Sequence, residues 1–194
     1  MLNYNSVIKN EINQESVSVK EISPVIKINL RGKKREFLTN VGKNLNMILP
    51  TEANTSTTSD KLTAIWLSPD EWMIISNELA SKDTNKSDLY EMLFNSISKT
   101  NLGAVIDVTD QFVQLELKGE NVYEIFSAGS PFNFNDFKEK KGSTTQTVLN
   151  HVDVILHHKD ENILNLFVRR SFAEHLFSWI CLLYTSPSPR DVSS

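Results

Sequence analysis

The chain has 194 residues, and its 20 lysines and arginines against 24 aspartates and glutamates give a formal net charge of -4. This length can bury the core of one large or two small domains, and the acidic balance without a basic stripe argues against a nucleic-acid-binding protein. No apolar run reaches the roughly 20 residues of a membrane-spanning helix, and residues 1–15 lack the apolar segment of a signal peptide, so we expect a cytoplasmic protein.

Strand and helix patterns alternate in the first part of the chain. Val17 and Val19, followed by the apolar run from Val25 to Leu30, predict one or two strands interrupted by Pro24. A helix ending near residue 49 is predicted by apolar residues at helical spacing, Phe37, Val41, Leu45 and Ile48. Residues 51–60 are polar without periodicity, which predicts a surface loop.

The segment 62–76 contains two aromatic and β-branched runs separated by Ser68-Pro69-Asp70-Glu71. These four residues resemble a helix start, but no amphipathic run of helical length follows them. We therefore predict a strand, a tight turn and a second strand. The next helix is predicted over 88–97, where four apolar residues share one face: Leu89, Leu93, Phe94 and Ile97.

The second part of the chain begins with two predicted strands, 105–108 and 112–117, joined by a bend at 109–111. A short helix ending at Gly129 follows, and residues 130–142 are predicted to form a long lysine-containing loop. Three further strands are predicted at 144–149, 152–156 and 163–168.

The last predicted strand runs directly into a helix. Apolar residues alternate up to Val168 and then recur at helical spacing from Phe172. Ser171 followed by Glu174 has the spacing of a capping box, which predicts that the helix is capped by Ser171. Arg169 and Arg170 lie at this junction and should point in different directions, so at least one of them is expected to face a partner or a carboxylate.

The order of elements is strand, helix, strand, strand, helix, strand, and then very nearly the same order again. This order predicts an α+β fold of two ferredoxin-like βαββαβ-type halves packed together. We expect a flexible N-terminus over 1–15 and a single domain over 16–180, with halves at about 16–109 and 110–180.

The last residues of the chain are expected not to belong to the fold. The run from Cys181 to Asp191 matches, residue by residue, the translation of a transposon adapter used for sequencing libraries. We therefore interpret 181–194 as an artefactual tail that replaces the natural C-terminus, and we exclude it from fold prediction.

Several residues suggest chemistry, but each has a simpler explanation. Asp107 and Asp110 could form a carboxylate pair, although aspartates at strand ends usually accept hydrogen bonds from turn amides. His157 and His158, with His151 and Asp153, suggest a metal site, but adjacent strand residues point to opposite faces, so a solvated edge is the simpler interpretation.

The remaining candidate functional residues also have structural explanations. The three tryptophans, Trp66, Trp72 and Trp179, are expected in the core or at an interface. The six glycines do not form a dinucleotide-binding fingerprint. The lysines from Lys138 to Lys141 are expected in a solvated loop, with a contact to an acidic partner as the alternative.

Several short motifs together resemble the gamma subunit family of heterotetrameric sarcosine oxidase. The resemblance keeps its order and spacing over about 160 residues of this sequence. The matching segments are Trp66–Trp72, Val105–Thr109, Gly119 before a helix, Ala128–Pro131, Thr145–Thr147 and Val168–Ala173. The chain departs from the family pattern in its lysine-rich loop at 137–142 and in Ser130, where a cysteine is usual.

The resemblance implies a fold akin to the folate-binding part of aminomethyltransferases. It also implies a complex that oxidatively demethylates sarcosine to glycine, produces hydrogen peroxide and passes the one-carbon unit to tetrahydrofolate. The family places FAD, FMN, NAD, tetrahydrofolate and zinc in the other subunits, which are the alpha, beta and delta subunits.

Two functions therefore remain open at this point. The first is a non-catalytic gamma subunit of an oxidoreductase complex, with no catalytic, cofactor or metal residue of its own. Its candidate interface residues are Arg169, Arg170, Phe172, Trp66 and Trp72. The second is a free-standing folate-dependent aminomethyltransferase-like or folate-binding protein with Asp107 near the folate, for which about 180 residues leave little room.

Overall fold

Two antiparallel β-sheets packed face to face form the centre of the fold. The computed structural model describes residues 5–14, 16–22, 25–76 and 86–185. The strands in these ranges are β1 (Ile12–Asn13), β2 (Ser18–Glu21), β3 (Lys27–Arg31), β4 (Ser56–Thr58), β5 (Leu62–Ser68), β6 (Glu71–Ser76), β7 (Ala104–Asp107), β8 (Phe112–Lys118), β9 (Thr144–Leu149), β10 (Val152–Asp160) and β11 (Ile163–Arg169). The helices are α1 (Arg35–Leu45), α2 (Lys86–Leu93), continued by a π-helical turn (Phe94–Ser98), α3 (Val122–Gly129), α4 (Asn135–Glu139) and α5 (Arg170–Thr185).

The first sheet has the strand order β4-β5-β6-β3-β7. Its main strands and helices follow the chain order β3, α1, β5, β6, α2, β7. This is the ferredoxin-like order that the sequence predicts, with β4 added at one edge. The predicted hairpin at 62–76 is confirmed, and a β-bulge lies between Trp66 and Ser68 next to its turn.

The second sheet has six strands in the order β1-β2-β8-β11-β10-β9. The order of elements around this sheet departs from the predicted βαββαβ repeat in two ways. A tight turn connects β10 directly to β11, and α5 follows β11 instead of preceding it. The N-terminal strands β1 and β2 also join this sheet, because β2 pairs with β8 through Val19 and Leu117. The α+β class and the packing of two halves are as predicted, but β2, which lies within the predicted first half at about 16–109, belongs to the second sheet.

Three apolar clusters hold these layers together. Helices α1 and α2 cover the outer face of the first sheet through a cluster that includes Phe37, Leu93 and Ile97. Helices α3, α4 and α5 cover the outer face of the second sheet. Between the sheets lies a smaller cluster formed by Val25, Ile65, Met73, Ile75, Ile155 and Phe167. The strands that contribute to it therefore bury both faces.

The two sheets are joined along one edge by backbone hydrogen bonds. The Thr144 amide donates to the Asn54 carbonyl oxygen at 2.9 Å, and Thr55 forms an isolated bridge with Ser143. This edge brings the beginning of β4 against the beginning of β9. Within the described ranges, β7 at the far side of the first sheet pairs only with β3.

Helix α1 ends earlier than the sequence predicts. Its last residue is Leu45, and Asn46 adopts a left-handed conformation with a φ of 49° that asparagine tolerates well. The amide of Met47 then donates to the Gly42 carbonyl oxygen. The chain leaves the helix at this point, so Ile48 is 82% exposed instead of lying on the buried face.

Two predicted loops contain regular structure. The segment 51–60 includes β4, and the segment 130–142 includes α4. Both elements are short, at three and five residues, and polar in sequence. Pairing with β5 orders the first, and burial of Phe137 anchors the second.

The first and last described segments of the chain pack on the second sheet. Residues 1–15 were expected to be flexible, and that expectation stays a prediction, but Ile8 is buried and β1 pairs with β2. At the other end α5 continues to Thr185, past the predicted boundary at residue 180. Cys181 is partly buried there, and Leu182 and Leu183 are exposed. Among the described helices, none has both the length and the apolarity to cross a membrane.

Candidate functional site

The junction between β11 and α5 carries three of the residues expected at an interface. The strand ends at Arg169 and the helix begins at Arg170, without an intervening loop. The helix therefore begins before Ser171, the predicted cap residue. Ser171 lies inside the first turn of α5, and no hydrogen bond of its side chain is found within the described ranges.

Arg169 and Arg170 point in different directions, as predicted. Val168 is buried under the helices, so the following residue points to the opposite side of the sheet, where the Arg169 side chain is exposed. Its Cα lies opposite that of Phe112 on β8. No ion pair or side-chain hydrogen bond of Arg169 is found in the part of the chain that the structure describes.

Arg170 is tied to its own chain. Its guanidinium donates to the backbone carbonyl oxygen of Asn5, and its amide donates to the Gln111 carbonyl oxygen at 2.8 Å. The side chain therefore fastens the N-terminal segment to the start of α5. The hydrogen bond from the Arg170 amide to Gln111 holds the connection between β7 and β8 against the start of α5.

Phe172 presents an aromatic surface two residues beyond Arg170. Its side chain is 47% exposed, whereas Ala173 and Leu176 of the same helix are fully buried. Aromatic residues, phenylalanine included, and arginine are enriched at protein–protein interfaces. We call the exposed pair Arg169 and Phe172 the junction surface.

The two tryptophans of the β5–β6 hairpin lie on the helix-covered side of the first sheet. Trp66 and Trp72 are cross-strand partners. Trp72 is 2% exposed, its indole N–H donates to the Pro50 carbonyl oxygen at 2.7 Å, and its ring lies 5.8 Å from that of Phe37. This burial assigns Trp72 to the core, while Trp66 is partly buried against the same cluster. The hairpin and the junction surface belong to different sheets.

The predicted turn role of Asp107 is confirmed. Its Oδ1 accepts a hydrogen bond from the Thr109 amide at 2.9 Å. The Thr109 hydroxyl in turn accepts from the Lys27 amide at 3.0 Å, which fixes the bend against β3. Lys27 itself is fully buried, and its Nζ donates to the Val25 carbonyl oxygen at 2.9 Å. No sequence pattern around Lys27 indicates this burial.

His157 and His158 lie on opposite faces of β10, as predicted, but the prediction of a solvated edge is wrong. Both imidazoles are buried. His158 Nδ1 lies 3.1 Å from the carbonyl oxygens of Phe137 and Lys140 beneath α4. His157 faces the other sheet, where its Nε2 lies 3.1 Å from Ser56 Oγ. In the described ranges no three histidine, cysteine or acidic side chains are grouped to hold a metal ion.

The lysine-containing loop is exposed and paired within the chain. Lys141 forms an ion pair with Asp160 at 2.9 Å, and Lys140 lies 3.8 Å from Glu52. The Lys141 hydrogen bond is the main cause that lowers the pKa of Asp160 below its usual value. These exposed pairs fit the expectation of a solvated loop.

Ile106 is an exposed apolar residue that no prediction from the sequence named. Ile106 is 53% exposed on the edge strand β7, whose neighbouring residue Val105 is buried under the helices. The alternation of Val105 and Ile106 within a short strand could have revealed it, because only one of the two can face the helix-side core.

A sequence profile described as "Sarcosine oxidase, gamma subunit family" matches residues 32–185. The matched region begins just after β3 and includes both helix layers and the junction surface. No curated protein sequence matches the chain.

Two solved structures share the fold. The heterotetrameric sarcosine oxidase from Corynebacterium sp. U-96, in complex with pyrrole 2-carboxylate, superposes with a TM-score of 0.76 at 20% identity, over 88% of this chain and 85% of that chain. The glycine cleavage system aminomethyltransferase T from Bartonella henselae gives a TM-score of 0.63 at 16% identity, over 86% of this chain and 46% of that chain. At these identities the likeness shows the fold.

Proposed function

The chain belongs to the sarcosine oxidase gamma subunit family, and from this membership we propose that it is the non-catalytic gamma subunit of a heterotetrameric sarcosine oxidase. The observation that carries the proposal is the profile match over residues 32–185, which spans nearly the whole described fold. The shared fold with the Corynebacterium enzyme supports it over 88% of the chain.

In this proposal the chain assembles with alpha, beta and delta subunits. The complex demethylates sarcosine to glycine, releases hydrogen peroxide and passes the one-carbon unit to tetrahydrofolate. The partner subunits hold FAD, FMN, NAD and tetrahydrofolate. This chain supplies a folded surface instead of reacting groups.

The junction surface is the part of the chain that we assign to a partner subunit. Phe172 exposes nearly half of its side chain, and burying aromatic surface of this kind is a main source of binding free energy. Arg169, three residues earlier at the end of β11, is exposed and can form a two-point contact with a carboxylate. Arg170 is less suited to this role because its guanidinium already contacts Asn5.

Co-expression with the three partner subunits, followed by affinity purification through a tagged partner, tests this assignment. Arg169→Ala and Phe172→Ala should both reduce recovery of this chain. Truncating an arginine that is buried with a charged partner typically costs about 2 to 5 kcal/mol of binding free energy, against under about 1 kcal/mol for an exposed one.

The matched controls are Arg170→Ala and Ile48→Ala. The first removes the neighbouring guanidinium, and the second removes an exposed apolar side chain from the helix-covered side of the other sheet. Both should be recovered with the complex nearly as well as the unmodified chain. Full recovery of Arg169→Ala and Phe172→Ala would show that the interface lies elsewhere, and the surface around Ile106 on β7 would be the next to test.

The non-catalytic role has its own test. The isolated chain should retain no flavin absorbance after incubation with FAD and FMN and desalting, and it should not oxidise sarcosine. Flavin bound at one-to-one stoichiometry would contradict the proposal. Tight binding of tetrahydrofolate by the isolated chain would instead favour the folate-dependent alternative.

A further inference from the structure

Four of the five residues from Arg31 to Arg35 are cations, in a chain whose formal net charge is -4. They occupy the connection between β3 and α1, where Arg31 ends the strand, Lys34 precedes the helix and Arg35 begins it. All four cationic side chains are exposed. We call this group, which consists of Arg31, Lys33, Lys34 and Arg35, the basic surface.

The hairpin between β5 and β6 fixes the position of two of these cations. The backbone carbonyl oxygen of Asp70, in the hairpin turn, accepts a hydrogen bond from the Gly32 amide at 2.9 Å. The carboxylate Oδ2 of Asp70 lies 3.6 Å from both Arg31 Nε and Lys33 Nζ. The Ser68 hydroxyl donates to Oδ1 of the same carboxylate at 2.8 Å. One carboxylate therefore holds two cations in place, and its single negative charge cannot neutralise both.

The stability of α1 does not explain the charge at its start. The N-terminus of a helix carries a partial positive charge, so anions near it are favourable and cations are unfavourable. Lys34 occupies the N-cap position, where its ammonium group has no acceptor for the amides of the first turn, and Arg35 is the first helical residue. These two cations therefore destabilise the isolated chain, and negative charge brought next to them offsets this effect.

A protein surface that carries several carboxylates matches the basic surface better than a nucleic acid does. Nucleic-acid sites place cations along a stripe or a helix, whereas these four cations are confined to one connection. The net charge of -4 also repels a polyanion at longer range. A patch of aspartates and glutamates concentrates its charge over a similarly small area, and Arg31 and Arg35 can form two-point contacts with such carboxylates.

We propose that the basic surface docks against an acidic surface of a partner subunit. This proposal rests on the proposed function, and it adds to the junction surface a second contact on the other sheet of the fold. The combined charge of the four cations steers association, and the ion pairs formed in the complex fix its register. The basic surface lies at the opposite end of α1 from Ile48, which stays a control for the junction surface.

A variant that combines Lys34→Glu with Arg35→Glu tests the proposal in the co-expressed complex. The two glutamates lie at the start of α1, where negative charge favours the helix, so the variant should fold at least as well as the unmodified chain. The melting temperature of the isolated full chain checks this. Recovery of the variant with the tagged partner subunits, in about 50 mM NaCl, should fall by about tenfold or more.

The salt concentration of the wash provides a second readout. Screening shortens the range of charge interactions from about 10 Å at 0.1 M to about 3 Å at 1 M ionic strength. A wash at about 0.5 M NaCl should therefore release part of the unmodified chain and change recovery of the variant little. Lys138→Glu combined with Lys140→Glu is the matched control, because it reverses two exposed lysines of the loop at 137–142. This control should be recovered like the unmodified chain.

Carbodiimide cross-linking of the assembled complex identifies the partner carboxylates, because it joins an amine to a carboxylate that contacts it. Lys33 and Asp70 provide an internal standard, since their charged atoms lie 3.6 Å apart within the chain. We expect additional links from Lys33 or Lys34 to aspartates or glutamates of a partner subunit.

Four results would overturn the proposal and leave the proposed function intact. The variant could be recovered as well as the unmodified chain, or the loop control could be lost equally, which would show that recovery follows total charge. Lys33 and Lys34 could form links only within the chain or to a second copy of it. A DNA duplex that binds the isolated chain and not the variant would assign the surface to a nucleic acid instead. Failure to recover even the unmodified chain with the partner subunits would contradict the proposed function, and this proposal with it.

Discussion

Acid should destabilise the protein through His157, and the size of the effect follows from its burial. Burial between the sheets is the largest cause that lowers the pKa of His157, from an ordinary value of 6.5 to about 4, with His158 and Lys159 adding to it. The unfolded chain therefore takes up a proton near pH 6.5, while the folded chain resists it until about pH 4. The stabilising contribution is complete above pH 6.5 and is lost as the pH falls through this window.

The expected magnitude is measurable. A difference of this size between the folded and unfolded pKa corresponds to roughly 3 kcal/mol when the loss is complete, and about 2 kcal/mol of it is reached at pH 5. Urea denaturation at pH 7.5 and pH 5 gives the free energy of unfolding at both values. The unmodified chain should lose about 2 kcal/mol more between them than His157→Gln, which retains an N–H for Ser56 but cannot take up a proton.

Acidic groups contribute to the pH dependence as well. Burial would raise the pKa of Glu116, but the ammonium groups of Lys159 and Lys20 outweigh this and hold it below its usual value. This contribution is common to both proteins and cancels in the comparison. His151→Gln is the matched control, because it removes an exposed histidine. Equal losses of stability in the unmodified chain and in His157→Gln would refute the reasoning about a buried neutral imidazole.

Three further substitutions, two of them with a matched control variant, test the packing. Phe167→Ala should reduce the free energy of unfolding by about 3 to 5 kcal/mol in urea denaturation, because it leaves a cavity between the sheets. Phe172→Ala is the control and should cost under about 1 kcal/mol, because Phe172 is exposed. Gly119→Ala should cost more than about 2 kcal/mol in the same measurement, since Gly119 has a φ of 141° and an added Cβ would lie 2.1 Å from the Ser16 carbonyl oxygen. The control is Gly42→Ala, where the atom nearest to an added Cβ is the Met47 carbonyl oxygen at 3.2 Å. This control should change the free energy of unfolding by under about 1 kcal/mol. Trp72→Phe should lower stability by about 1 to 2 kcal/mol in thermal denaturation, because it leaves the Pro50 carbonyl oxygen without its indole donor. An unchanged melting temperature for Trp72→Phe would show that this hydrogen bond contributes nothing net.

Local sequence patterns were sufficient to predict the strands and helices that bury one face. The hairpin at 62–76 and the strands β2, β8, β9, β10 and β11 of the second sheet were predicted because alternation or β-branched residues mark them, whereas β1 was not predicted. The same reasoning extended α1 too far, because Ile48 continues the helical spacing while Asn46 redirects the backbone. Spacing reports which residues could share a face, and it does not report where the chain turns.

Features that depend on contacts between distant segments could not be predicted from local patterns. His157 is buried because Ser56 of the other sheet covers it, and nothing near residue 157 in the sequence indicates this. Short polar elements such as β4 are likewise ordered by their partners. Arg169 and Arg170 were correctly separated by strand alternation, but only the contact with Asn5 shows which of the two is held within the chain.

The position of β2 in the second sheet has a consequence for the synthesis of the protein. The first sheet is complete once β7 has emerged from the ribosome, but β2 pairs with β8, which emerges later. At typical elongation rates of about 5 to 20 residues per second, β2 waits on the order of ten seconds for its partner strand. During this interval Val17 and Val19 have no core to enter. Until β8 emerges, β1 is the only described strand of its sheet that can pair with β2, and the apolar side chains of Val17 and Val19 stay exposed.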